Sequence, residues 1–190
     1  MIRQLSLMVL FLSIGLSGCD RSANQPPPPP AGKADRSVEK PNATAGAPAL
    51  ARFSLAEEPA GALDVVAFRS NTRAGDEVVF RGLVGGRSEP FVQGKALMTV
   101  ADLSLKPCNA AAGDNCPTPW DYCCEPPESL TRGTVTVQLV GDDGKVLSSD
   151  IRELSGVKPL SQVVVKGKVA THEPGKSTVV NATGIYVKKS

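Results

Sequence analysis

Val78-Val79-Phe80-Arg81-Gly82-Leu83-Val84 and, far downstream, Val163-Val164-Val165-Lys166-Gly167-Lys168-Val169 are two versions of one pattern. Each is a valine-rich run of the kind that suits an extended, half-buried strand. Each also carries a glycine inside the run. An interior glycine weakens a strand, so it marks a sharp bend, a bulge or a close backbone approach. Two bent strands, first and fourth in chain order, suit a small sheet that curls until it closes.

Working outward, Val, Gly and Thr alternate with turn residues over the C-terminal two thirds of the chain. The pattern predicts strands near Glu77–Val84, Lys95–Asp102, Gly133–Val140, Gln162–Thr171 and Ser177–Lys188. The last two are joined by His172-Glu173-Pro174-Gly175-Lys176, a hairpin-length loop with a Pro-Gly turn signal. Asp150 to Leu160 predicts a short helix, capped by Ser149 or Asp150 and bounded by Pro159. A second short helix is predicted over Pro59 to Arg69, with Leu63, Val66 and Ala67 at helical spacing, although Val65, Val66 and Phe68 also suit a strand. The order strand-strand-strand-helix-strand-strand resembles the OB-fold, over about Asp76 to Lys189, and is similar to small OB-type domains of bacterial lipoproteins. The expected class is mainly β: an OB-like five-stranded barrel with a Cys-rich insertion between its second and third strands. A β-sandwich is the alternative.

Many OB-folds bind single-stranded nucleic acid, but the composition argues against that here. From Asp76 to Ser190 there are 13 Lys plus Arg and 13 Asp plus Glu, and aromatics make up 4% of the chain. A phosphate-binding groove needs excess positive charge and interleaved aromatic platforms. No nucleic-acid partner is expected.

The N-terminus sets the expected address. Arg3 precedes a nearly unbroken apolar run from Leu5 to Leu16, too short to span the ~30 Å hydrocarbon core of a bilayer. The run ends in Leu16-Ser17-Gly18-Cys19, which resembles the lipobox of bacterial lipoproteins. That resemblance implies a signal peptide over residues 1–18 and a diacylglyceryl group on the Cys19 thiol. It also implies a further acyl chain, such as palmitate, on the new amino terminus. Each buried methylene contributes about 0.8 kcal/mol, so several chains make a stable anchor. The expected location is the cell membrane, facing the periplasm or the exterior, and Asp20 resembles an inner-membrane retention signal. Residues 19–51 then read as anchor and linker. Pro26 to Pro30 favour polyproline II, and the stretch holds too few large apolar side chains to offset its ordering entropy. Residues 52–74 read as a lead-in and 75–190 as one domain.

Within that domain, residues 104–130 form the insertion, with Cys108, Cys116, Cys123 and Cys124. A loop this long needs a staple or a function. With Cys19 lipidated, four thiols remain in an oxidising compartment, and two disulfides are the first expectation. Adjacent cysteines rarely bond to each other, since a disulfide wants Cα atoms about 5.5–6 Å apart and neighbours stand 3.8 Å apart. Cys123 and Cys124 would each reach back, one to Cys108 and the other to Cys116. The second reading is a thiolate site for Zn or Cu, with no cofactor required under the first. The third is thiol–disulfide exchange, for which C-x-x-C at a helix start is missing.

Trp120, Asp121 and Tyr122, with His172 on the facing hairpin, are the expected binding surface, for another envelope protein in a non-catalytic binding or scaffolding role. Trp120 and Tyr122 alternatively form the small apolar kernel of the insertion, packed over the disulfides, the reading favoured for Trp120. Asp121 and Glu125 offer carboxylates. One histidine, no G-x-S-x-G, no phosphate-binding loop and no H-E-x-x-H leave no catalytic residue to nominate.

Overall fold

A computed structural model of the chain describes residues 46–110, 113 and 115–189. The lipobox, Cys19, Asp20 and the polyproline run lie outside the described residues. Among the described residues no helix is long and apolar enough to cross a membrane.

The two quoted strands are partners. Strand β2 (Glu77–Val84) pairs antiparallel with β5 (Gln162–His172) from Glu77↔Lys168 to Leu83↔Gln162. On its other edge β2 meets two strands in turn. Phe80 and Arg81 pair with the two-residue β1 (Leu63–Asp64), while Leu83 and Val84 pair with β3 (Leu97–Ala101). Gly82 sits at the changeover. A Cβ placed there would stand 2.3 Å from the Ala101 carbonyl oxygen and 2.6 Å from Val100 Cγ1. Gly167 plays the corresponding part in β5, next to a register shift against β6 (Thr178–Val187), and its Cβ would stand 2.5 Å from Asn181 O. Both glycines therefore mark close backbone approach.

Strand β4 (Thr134–Gln138) pairs antiparallel with β3 and parallel with β6, and β6 pairs antiparallel with β5. The circuit β2-β3-β4-β6-β5-β2 closes, giving a five-stranded barrel with β1 as an extra strand on β2. This is the OB-like architecture expected, and the cysteine insertion lies between β3 and β4, the barrel's second and third strands.

Alternate residues of each strand point inward. Phe80, Met98, Val100, Val137, Val165 and Ile185 are all but inaccessible and form one cluster. Helix α2 (Val65–Ser70) covers one side, with the Phe68 ring stacked on Phe80 at 4.6 Å between centroids. Its first free amide, Val66 N–H, donates to the buried Asp102 carboxylate at 2.7 Å, so the end of β3 holds the start of the helix.

Three expectations need correction. The linker does not extend to Ala51: Gly46–Ala51 form helix α1, Leu50 is fully buried in the core, and Phe53 O accepts from Ile185 N–H of β6. The helix expected over Pro59 to Arg69 begins only at Val65. It buries Val65, Phe68 and Arg69, while Leu63 lies in β1 and Val66 is exposed. A single 3-10 turn, Ile151–Glu153, replaces the helix expected from Asp150 to Leu160. Asp150 does cap it, accepting from Arg152 N–H, and the Arg152 guanidinium holds the Asp150 carboxyl down at about 2.

Candidate metal centre

The insertion leaves β3 through Asp102, whose carboxylate also accepts from Ser104 N–H at 2.8 Å. It returns through helix α3 (Pro127–Gly133), whose first turn starts with proline, where the missing donor costs nothing. Between them lies the 3-10 turn Pro119–Asp121. This turn is fastened to the barrel by backbone and ring: Gly86 N–H donates to Trp120 O at 2.8 Å, and Trp120 Nε1 donates to Ser88 O at 3.1 Å.

Tyr122 follows in the left-handed region, at φ 58°, and is wholly buried with Ala101 and Leu105. Its ring presses on the barrel so closely that a Cβ at Gly85 would stand 2.9 Å from Tyr122 Cε2. The kernel of the insertion is therefore Tyr122, with Trp120 half-buried at the rim. Tyr122 is not an exposed binding residue. Burial pushes its hydroxyl up to about 12, and that oxygen has no hydrogen-bond partner among the described residues.

The left-handed turn at Tyr122 reverses the chain and sets the polar groups on either side of it facing Cys108. Asp121 Oδ1 accepts from Cys123 N–H at 2.9 Å and lies 3.5 Å from Cys108 Sγ, while Oδ2 accepts from Thr118 Oγ1 at 2.9 Å. These donors, with the Cys123 amide first, hold the Asp121 carboxyl below its ordinary value. Cys108 is positioned by its own N–H, which donates to Pro119 O at 3.0 Å. The result is a four-atom group: the sulfurs of Cys108, Cys116 and Cys123 and a carboxylate oxygen of Asp121 all lie within 4.8 Å of one another.

No two of the four sulfurs stand at disulfide distance, contrary to the first expectation. Cys108 and Cys123 approach to 3.2 Å, and Cys123 and Cys124 to 3.9 Å, against about 2.05 Å for an S–S bond. Ligands of one tetrahedral zinc, each about 2.3 Å away, stand roughly 3.8 Å apart. Within the group Cys108 and Cys123 stand 3.2 Å apart and all four ligand atoms lie within 4.8 Å, limits that bracket this spacing. Cys108 is buried and Cys123 exposed, so the group opens on one side to solvent. The hydrogen bond to Cys108 pushes the Cys123 thiol up.

His172 does not join this group. It ends β5, its Nδ1 lies 2.9 Å from Thr178 Oγ1, and it lines a cavity to which no cysteine contributes. Sequence reasoning named all four members of the site but could not separate Cys124 from the other three thiols. No protein-family model matches the chain, and no curated protein matches it significantly.

Proposed function

We propose that this chain is a lipid-anchored cell-envelope module whose barrel presents a thiolate metal centre, taking Zn²⁺ or Cu⁺ on Cys108, Cys116, Cys123 and Asp121. The convergence of those four ligand atoms within 4.8 Å carries the reading. Three thiolates and one carboxylate make a borderline-to-soft set, which suits zinc or monovalent copper over magnesium or calcium. The metal replaces the expected disulfides as the staple of a long insertion, and coordination keeps thiolates from oxidising in an oxidising compartment. The binding role expected from sequence thus takes a specific form. The anchor rests on Leu16-Ser17-Gly18-Cys19.

The test uses the full chain, purified in detergent under reducing, anaerobic conditions and loaded with zinc or copper(I). One metal per chain is expected by native mass spectrometry. Cobalt loading should give thiolate-to-metal charge-transfer absorption. Cys108→Ser and Cys123→Ser should each weaken binding by about 100-fold, as loss of a coordinating group does, while Cys124→Ser retains the metal. A protein that keeps no metal and whose thiols alkylate fully without chelator would overturn the reading. So would a native mass four hydrogens below the reduced chain, which would restore the two disulfides. The anchor is checked separately: labelled palmitate should enter the wild-type chain and not Cys19→Ser. Absence of label from both, where a known lipoprotein labels, removes it.

A further inference from the structure

Helix α2 carries an arginine whose partners are unusual. Arg69 is 6% exposed. Its Nη1 donates to the carbonyls of Thr131, Arg132 and Thr134, the last two at 2.9 and 2.7 Å. Nε donates to Thr178 Oγ1 at 2.9 Å and Nη2 to Lys176 O at 3.3 Å. No carboxylate is among these partners. A guanidinium has five N–H donors, so one on Nη2 is left without a protein acceptor among the described residues. Carbonyls at the end of α3 offset part of the charge, but a buried cation normally has an anionic partner.

The same residue lines a cavity of about 540 Å³ with Arg73, Arg132 and His172, and no Asp or Glu borders it among the described residues. The Arg73 and Arg132 side chains are exposed and make no ion pair or hydrogen bond among the described residues. Thr178 joins the set together. Its oxygen accepts from Arg69 Nε and lies 2.9 Å from His172 Nδ1; where the Thr178 proton goes to Nδ1, the imidazole carries its N–H on Nε2. Four donors of one kind therefore border one pocket, whose remaining wall includes Val66, Ala74 and Pro174.

We infer that this cavity binds a phosphate group, with Arg73, Arg132 and His172 Nε2 as its donors and Arg69 as the fixed charge behind them. Arginine forks match phosphate oxygens. The apolar wall adds that a phosphomonoester with a carbon body binds more tightly than inorganic phosphate. The inference is independent of the metal centre.

Calorimetric titration of the full chain in detergent, with inorganic phosphate and then phenyl phosphate, tests it. Saturable binding is expected, tighter for phenyl phosphate, and weakened about tenfold in each of Arg73→Gln and Arg132→Gln, the loss of one charge-assisted contact. Neither arginine side chain has a protein partner among the described residues, and both backbones keep theirs, so the unfolding midpoint should not move. Cys108→Ser should leave phosphate binding intact. Binding that fails to saturate, or that persists unchanged in both arginine variants, overturns the proposal. Equal affinity for the two probes removes the apolar wall from it.

Discussion

Gly82→Ala and Gly167→Ala are each expected to destabilise the barrel by about 3 kcal/mol or more, read as the shift in a urea unfolding midpoint. Overpacking a dense interior costs 1–3 kcal/mol where side chains can rearrange. Here the new methyl would meet backbone: Ala101 O at 2.3 Å for Gly82, and Asn181 O at 2.5 Å with Ala182 Cα at 2.9 Å for Gly167. Backbone can yield only by separating strands, which sacrifices the β2–β3 or β5–β6 ladder beside the glycine. Against a total stability of about 5–15 kcal/mol, either change leaves much of the chain unfolded. Gly94→Ala is the control. It has φ 67° with nothing within 4 Å of a Cβ, so only backbone strain of about 1–2 kcal/mol applies. Equal effects at all three positions would mean that closure does not depend on close approach at the bends.

The second large effect belongs to Tyr122. Tyr122→Ala should cost about 3–5 kcal/mol, the range for deleting a buried aromatic. It should also loosen the metal centre, because Asp121 and Cys123 flank the ring that seats them. Tyr122→Phe should behave in the opposite way. The hydroxyl is buried without a partner among the described residues, and such a group costs about 1–3 kcal/mol of desolvation. Phenylalanine should therefore hold stability level or raise it, with metal affinity intact. Loss of metal binding in Tyr122→Phe would show that the oxygen has a role the packing does not reveal.

The barrel was legible because its evidence is local. Valine runs broken by Gly82 and Gly167 state both the strands and their bends. The His172–Lys176 loop states the hairpin. Other features depend on neighbours far along the chain. Leu50 sits in a Gly/Ala/Pro-rich stretch that reads as linker, and only its burial in the core makes it part of the domain. Trp120 and Tyr122 are two residues apart, and nothing in their identity says which turns inward; the left-handed turn at Tyr122 decides. Arg69 reads as a solvated helix residue until the fold brings the α3 carbonyls and Thr178 to it. The cysteines were plain as a set, whereas their spacing in space, wider than a disulfide and narrow enough for one ion, belongs to the fold alone.

The closed circuit of strands also sets an order of events. Strand β2 finds one partner in β5, and β4 finds one in β6, so neither ladder can form until the C-terminal hairpin exists. Such distant pairings are slow to form. A chain shortened before Gln162 would leave two strand edges unsatisfied and prone to association with other chains. During synthesis the valine-rich strands before Gln162 must wait, unclosed, for β5 and β6 to emerge. For a chain that we propose is anchored at the cell envelope, this dependence keeps the barrel open until β5 and β6 have both been made.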